Sequence, residues 1–115
     1  MLPASHLAVV TRNITWTGPT QVATEPHECG WAREAMIFVR ALKAPNWPDG
    51  PRRLSVEVSP DGLRWAPHGT TLDMPATEDA MTFASVERFG GWLRLSGRLA
   101  EGESITVLVS IHLKA

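Results

Sequence analysis

Residues 54–70 have the sequence LSVEVSPDGLRWAPHGT, and this stretch decides the fold class. It predicts two short strands joined by a turn at residues 59–62 (SPDG). Proline presets φ, aspartate bonds its own backbone, and glycine takes the left-handed conformation on which such turns often end. Apolar and polar residues alternate along the first arm, and Leu63, Trp65 and Pro67 are expected to continue the second. This pattern is typical of an antiparallel sheet with one buried face.

Similar short strands are predicted along the rest of the chain, with turn signals roughly every 10 residues. They are expected at residues 7–17, 20–24, 80–89, 92–99 and 104–114. The last of these has the cleanest alternation, with apolar side chains at every second position from Ile105 to Leu113. Residues 25–30 are expected to form a polar turn and residues 71–79 a connection. Residues 45–51 (PNWPDGP) are expected to form a loop, because their prolines leave no regular hydrogen-bonded ladder.

Residues 31–44 (WAREAMIFVRALKA) are compatible with two structures. Ala, Glu, Arg, Leu and Met favour an amphipathic helix, whereas the central MIFV favours a strand. A strand is the preferred interpretation because the rest of the chain shows the period of β-structure, and a helix is the alternative. Together the segments predict an all-β chain, a single antiparallel β-sandwich domain of jelly-roll type over residues 1–115 with about eight strands.

The composition narrows the function classes. The 115 residues are enough to bury a core without crosslinks, and Cys29 as the only cysteine excludes a disulfide within the chain. The 11 basic and 12 acidic residues give a formal net charge of −1. A chain so nearly neutral is expected to have no nucleic-acid or membrane partner.

The sequence also bears on source and location. Lys43 and Lys114 are the only lysines in a chain rich in Arg, Ala, Pro and Gly, which indicates a bacterial or phage coding sequence. The N-terminal residues lack the basic start of a secretory signal peptide, and no run approaches the roughly 20 apolar residues that span a bilayer. The protein is therefore expected to be cytoplasmic or virion-associated.

The hairpin at residues 56–65 (VEVSPDGLRW) resembles the S-x-D-G-x-x-W hairpin of discoidin, or coagulation-factor type C, domains, which are galactose-binding-like jelly rolls. The same hairpin occurs in other bacterial and phage β-sandwich proteins. Residues 88–95 (RFGGWLRL) loosely resemble the arginine-containing strand that follows in the discoidin family. This chain is shorter than a typical discoidin domain and lacks its terminal cysteines. The resemblance therefore implies a sandwich, with structural roles for the turn residues and the tryptophan, and leaves the ligand open.

The loop at residues 45–51 holds the strongest candidate for a binding site. Its prolines stiffen the backbone around Trp47, and a rigidly presented aromatic ring suits a sugar ring or a protein interface. A tryptophan folded back over the end of the sandwich is an equally supported alternative. The tentative site adds three neighbouring polar residues and a second aromatic residue, which are Asn46, Asp49, Arg52 and Trp31.

A second tentative surface is an oligomer face. Trp92 and Leu108 stand at positions on the polar sides of their strands, which indicates an outer face that is not fully solvated. Symmetric self-association would cover such a face. Four arginines are expected to form ordinary charged pairs with Glu57 or Glu87 across neighbouring strands. They are Arg52, Arg53, Arg94 and Arg98.

Motifs of catalysis and cofactor binding are missing from the sequence. It contains no G-x-S-x-G elbow, phosphate loop or H-E-x-x-H pattern. The run His27-Glu28-Cys29 is its one local cluster of metal donors, and it is two ligands short of a metal site. No enzymatic activity, no metal and no cofactor are expected.

These observations favour a non-catalytic structural or interaction protein. It would be a small jelly roll that assembles as a homo-oligomer on a larger protein particle, such as a phage decoration, fibre or tail accessory protein. The alternative is a carbohydrate-binding module that stacks sugars on Trp47 and Trp31. A second alternative is a small glycan-active enzyme.

Overall fold

A computed structural model describes residues 4–48 and 50–115. The described chain contains nine strands, which are β1 (Ser5–Thr17), β2 (Thr20–Ala23), β3 (His27–Glu28), β4 (Glu34–Ala41), β5 (Arg53–Ser59), β6 (Ala66–Asp73), β7 (Met81–Glu87), β8 (Trp92–Leu99) and β9 (Ser104–Lys114). Within these residues there is no helix long and apolar enough to cross a membrane. The predicted all-β class is confirmed.

The strands form two sheets in which all neighbours are antiparallel. Sheet A has the order β1-β9-β4-β7, and sheet B has the order β2-β8-β5-β6, with the short β3 pairing at the end of β8. Most consecutive strands lie in different sheets, β5 and β6 form a hairpin within sheet B, and β1 pairs β9 while β2 pairs β8, so the order is that of a jelly roll. The predicted β-sandwich of jelly-roll type is therefore confirmed, with β3 as an extra strand.

The core lies between the two sheets. In β9 every second side chain from Ile105 to Leu113 is buried, so the alternation in the sequence correctly identifies the core face of this strand. Leu93, Leu95 and Leu99 of β8 are buried from the opposite sheet. The two apolar rows face each other, and their burial is the main favourable term in folding.

Residues 31–44 contain a strand, as preferred, and the helix alternative is wrong. β4 pairs with β9 on one side and with β7 on the other. Its inward side chains alternate with period two, and Ala35, Ile37 and Val39 are each at most 2% exposed. Pairing on both sides outweighs the helix propensity of the flanking Ala, Glu and Arg residues.

The hairpin after β5 has a longer turn than the sequence predicts. The Ser59 hydroxyl accepts hydrogen bonds from the backbone N–H groups of Asp61 (3.2 Å) and Gly62 (2.8 Å). The Asp61 carboxylate accepts the next two, from Leu63 (2.8 Å) and Arg64 (3.0 Å). Since these backbone donors are used inside the turn, β6 begins only at Ala66, and the placement of Leu63 and Trp65 in the second strand is wrong.

Three predicted connections also differ from the structure. Residues 25–30 are not only a polar turn, because β3 pairs with Leu93 and Trp92 of β8. The loop at residues 45–51 includes a β-bridge in which Asn46 and Ser104 exchange backbone hydrogen bonds of 2.9 and 3.0 Å. The connection predicted to start at residue 71 begins only after β6. In each case the segment forms backbone hydrogen bonds with a strand or residue that is distant in the sequence.

The hairpin turn packs directly on Trp92, and glycine substitutions test this contact. Gly62 has φ of 80°, and a Cβ there would lie 3.2 Å from two ring atoms of Trp92. Gly102 has φ of 82° with nothing within 4 Å of a Cβ, so it is the matched control for backbone strain alone. We expect Gly102→Ala to lower the free energy of unfolding by about 1 kcal/mol. We expect Gly62→Ala to cost at least about 1 kcal/mol more in urea denaturation, and equal costs would contradict the packing of the turn on Trp92.

Candidate interaction face

The outer face of sheet A carries an unusual amount of apolar surface. Side chains in register across the four strands form rungs, and one rung consists of Val9, Ser110, Phe38 and Phe83. Phe38 lies at its centre, with ring centroids 5.8 Å from Phe83 and 4.9 Å from His112. An aromatic cluster on the solvent side of a sheet is the kind of surface that partners cover.

The neighbouring rungs extend this surface over all four strands. Leu7 and Met36 lie on the rung of His112, and Leu108 and Met81 flank Arg40 on another. We call the set the apolar face, and it consists of Leu7, Val9, Met36, Phe38, Met81, Phe83 and Leu108. Exposed fractions reach 57% for Leu7 and 58% for both Met81 and Phe83. Serine, histidine and arginine side chains interrupt the face and keep it partly polar.

The two residues of the predicted oligomer face lie in different sheets. Leu108 belongs to the apolar face, where it is half-buried between β1 and β4. Trp92 is on β8, in sheet B, where the hairpin turn packs on its ring. Both positions are on the outward side of a strand, as predicted, but the sandwich separates them. The sequence pattern identifies an outward position and does not identify the sheet.

Three residues of the predicted loop site come together at one end of the sandwich. The guanidinium carbon of Arg52 lies 5.8 Å from the centroid of the Trp47 ring. Asn46 donates its side-chain N–H to the carbonyl of Gly102 at 3.3 Å. Trp47 is half-buried and packs against the core. Asp49 lies outside the described residues.

Glu103, which the sequence places in an ordinary polar turn, organises this end. Its carboxylate accepts hydrogen bonds from Arg52 Nε at 3.0 and 3.2 Å and from the same guanidinium through Nη2, and it forms an ion pair with it. It also accepts the backbone N–H of Ala100 at 2.8 Å. Only 5% of Glu103 is exposed. The hydrogen bonds from Arg52 and then from Ala100 lower the pKa of Glu103, and the same pair raises the pKa of Arg52.

In this arrangement the polar side chains of the loop form hydrogen bonds to other groups of the protein. Arg52 donates to Glu103 and to the carbonyls of Gly50 and Pro51, at 3.4 and 3.3 Å, so its donors are directed at the protein. The contacts of Asn46 and Arg52 thus tie the described part of the loop to the turn before β9 at this end of the sandwich. Ligand binding by Asn46, Trp47, Asp49 and Arg52 stays a prediction.

Trp31 lies apart from this loop, beside β3. It is 43% exposed and borders an open pocket with His6, His27 and Glu28. The rings of His6 and His27 are stacked, with centroids 6.0 Å apart. Burial, and then the charge of His6, lower the pKa of His27, against an opposite effect of Glu28. The two tryptophans of the predicted glycan site are therefore not brought together.

The described residues contain no group of three or more His, Cys, Asp or Glu side chains placed to hold a metal ion. Cys29 is fully buried. Burial, and then the charge of Glu28, raise the pKa of its thiol to about 12. A thiol with so high a pKa is a poor nucleophile at neutral pH.

Two strand arginines form cross-strand pairs on the outer face of sheet B, and one of them pairs with the expected Glu57. Arg94 Nε donates to Glu57 at 2.7 Å from the directly opposite position on β5. The guanidinium of Arg94 also lies 4.3 Å from the ring centroid of Trp65. Arg53 pairs instead with Asp73 of β6, at 3.5 Å. The outer face of sheet B therefore carries paired charges, whereas that of sheet A carries the apolar face.

Comparison with known proteins places the fold. No protein-family model matches the chain, and no curated protein matches it. The structure is similar to the PBSX exported protein XepA, with TM-score 0.63 and 10% identity over 94% of this chain. This chain spans 36% of the length of XepA.

Two further solved structures are similar over nearly the whole chain. The SPBc2 prophage-derived protein YomS matches with TM-score 0.63 and 8% identity, over 100% of this chain and 96% of YomS. A protein of the Bacillus endospore appendages, described as disulfide-linked pili, matches with TM-score 0.54 and 12% identity, over 96% of this chain and 87% of its own. At these identities the likeness shows the fold alone. The resemblance to discoidin domains is not confirmed.

The ion pair at the loop makes stability depend on pH. Because the folded-state pKa of Glu103 is lowered, its stabilising contribution is present above the ordinary pKa of about 4.3 and is lost as the pH falls through the folded-state value. We expect Glu103→Gln to unfold at lower urea concentration at pH 7 and to converge with the unsubstituted protein in acid. Glu101→Gln is the control, since it removes a similar charge from an exposed position of the same turn. A difference that persists unchanged in acid would contradict the role of the charged pair.

Replacement of Trp47 separates a packing role from a binding role. Since Trp47 packs on the core, we expect Trp47→Ala to cost about 2 kcal/mol. This cost lowers the melting temperature by on the order of 8 °C. Trp31→Ala is the control at an exposed tryptophan, with an expected cost below about 1 kcal/mol. An unchanged melting temperature for Trp47→Ala, measured by calorimetry, would contradict the packing role and favour a binding role for the loop.

Proposed function

We propose that this protein is a non-catalytic structural protein of a phage or phage-derived particle, and that it assembles there through copies of itself. The observation that carries the proposal is the apolar face of sheet A, on which Phe38, Phe83 and Met81 project outward from a well-formed sandwich. A stable small domain gains nothing from such a surface on its own. Burial against a partner stabilises by about 25 cal/mol for each Å² of apolar area covered.

The fold comparisons support the phage context. YomS is described as a protein derived from the SPBc2 prophage, XepA as an exported protein of PBSX, and the endospore appendages as disulfide-linked pili. A fold shared with proteins of this kind fits an architectural role, although fold alone does not carry function between proteins. The proposal therefore rests mainly on the apolar face.

A second copy of the chain is the occupant that the charges favour. The face carries both signs at its ends, with Lys114 and Glu34 in register at one end and Arg40 paired with Asp79 at 2.9 Å at the other. A surface with an apolar centre and mixed charges at its border can pack on its own symmetry mate without a net repulsion. The formal net charge of −1 also opposes association only weakly.

Binding of a glycan is the second candidate, and the exposed Trp31 favours it. The ring borders an open pocket that also presents His6, His27 and Glu28, which can bond hydroxyl groups. A glycan array read with the unsubstituted protein and with Trp31→Ala tests this candidate. Binding that Trp31→Ala abolishes would support it, and no binding above background would remove it.

Leu108→Lys tests the assembly through the apolar face. Leu108 is half-buried at the centre of sheet A, and its side chain is on the outside, so a lysine there charges the face without entering the core. We expect the mass in solution, measured by light scattering at micromolar concentration, to fall while the circular dichroism spectrum stays the same. Thr71→Lys is the control on an exposed position of sheet B and is expected to leave the mass unchanged. An assembly mass that Leu108→Lys does not alter would count against this face.

A further inference from the structure

Strand β7 is an edge of sheet A with backbone groups directed at solvent. Ala41 N–H bonds the carbonyl of Ala80 at 3.0 Å, so the backbone of residue 80 is directed at β4. Backbone groups of successive residues in a strand point to opposite sides, and the pairs of an antiparallel ladder alternate accordingly. The N–H and C=O groups of Met81, Phe83 and Ser85 therefore point away from β4.

A side-chain contact confirms this alternation. The same rule directs the carbonyl of Glu87 away from β4, and it is bonded there by the His68 ring at 2.6 Å. His68 belongs to β6, the edge of sheet B on the same side of the sandwich. At the other end of β7, the N–H of Asp79 is used by the carbonyl of Ala41, at 2.8 Å. The open stretch of the edge thus extends from Met81 to Ser85.

The other long edges in the described part of the chain are interrupted. β1 has register shifts on both sides of Thr11, and Asn13 has a positive φ of 51°. β6 has a register shift opposite Ser55 and Glu57, and it contains Pro67 and a glycine with φ of 107°. Bulges and prolines of this kind protect an edge from pairing. The residues of β7 form a regular ladder with β4, and Met81–Ser85 carries no charged side chain or proline.

We propose that β7 pairs antiparallel with β7 of a second copy, about a two-fold axis at Phe83. Such an axis places Phe83 opposite Phe83 and Met81 opposite Ser85, and each of these pairs exchanges two backbone hydrogen bonds. This register uses the outward groups of all three residues, whereas a register shifted along the strand leaves Met81 or Ser85 unpaired unless it uses the carbonyl of Glu87, which His68 holds, or the N–H of Asp79, which Ala41 holds. The free groups therefore select one register.

The pairing would join two apolar faces into one. The two four-stranded sheets become continuous, and the aromatic rung of Phe38 and Phe83 meets its symmetry mate at the axis. Aromatic residues directly opposite each other in an antiparallel pair stabilise the pairing relative to alanine. This inference rests on the proposed function, because it names how copies meet within the assembly, and it leaves the apolar face itself for a larger contact.

The test uses Leu108→Lys as a background that removes contacts through the face. Leu108 lies two strands from the edge, so the β7 pair is expected to survive, with the mass of two 12.6 kDa subunits. Adding Phe83→Lys should give a monomer, whereas adding Val9→Lys, on the same rung at the opposite edge, should leave the dimer. Adding Ser85→Pro should also give a monomer, because it removes an outward N–H and blocks the ladder without losing a bond to β4.

Amide exchange gives a readout that does not depend on a substitution. In the unsubstituted assembly, the amides of Met81, Phe83 and Ser85 should be protected along with those of Thr82, Ala84 and Val86. In the monomeric Ser85→Pro variant, those of Met81 and Phe83 should exchange fast while the inward set stays protected. Phe83→Cys should in addition form a disulfide with its own copy on oxidation, since opposite residues of such a pair have Cα atoms about 5.5 Å apart.

The outcomes separate this inference from the proposed function. A larger assembly that Leu108→Lys converts directly to a monomer, or rapid exchange at Phe83 within the assembly, would overturn edge pairing and leave assembly through the face standing. A dimer that Leu108→Lys does not affect and Ser85→Pro dissociates would support edge pairing and reject the face. A monomer at all concentrations up to about 0.5 mM, well above the Kd range of stable interfaces, would reject both.

Discussion

Strand β9 is the element on which the rest of the structure depends, because it pairs along both of its edges. β1 lies on one side over Ser5–Thr17 and β4 on the other over Glu34–Ala41. The inward side chains of β9 are buried, and a shift of one residue would turn all of them to solvent. The register of β9 thus fixes the register of both neighbours and, through β4, that of the edge strand β7.

The end of the sandwich near the proline-rich loop is held by a different interaction. Arg52 follows the loop and Glu103 precedes β9, so their ion pair ties the start of the hairpin in sheet B to the central strand of sheet A. Trp47 packs on the core beside this pair, with its ring centroid 5.8 Å from the Arg52 guanidinium carbon. A charged pair that is mostly buried requires further hydrogen bonds to be tolerated, and the backbone of Ala100 supplies one. Arg52 thus has a structural role at this end of the sandwich, and ligand binding by the loop stays a prediction.

The surfaces of the two sheets differ in a way that bears on assembly. The outer face of sheet B carries paired charges, such as Arg94 with Glu57. The hairpin turn packs over Trp92 on the same sheet. Sheet A leaves Phe38, Phe83 and Met81 on the outside and ends in an edge with unused backbone groups. A face and an edge serve different contacts, since the face gains from apolar burial and the edge from directional hydrogen bonds. Under the two proposals above, one subunit would take part in both kinds of contact at once.

The class of the fold and most of the strands follow from the sequence alone, because the alternation that buries one face of a strand is local. The apolar side chains from Ile105 to Leu113 and the turn at residues 59–62 can be recognised without a partner. The assignment of strands to sheets depends on the whole fold, and it separates Trp92 from Leu108 and brings Glu103 to Arg52. The longer hairpin turn, in contrast, has a local cause, the hydrogen bonds of the Ser59 and Asp61 side chains. The whole fold makes residues 27–28 a strand, since a hydrogen bond to a distant residue leaves no local pattern. The open edge of β7 has the same origin, because whether a strand ends a sheet depends on every other strand.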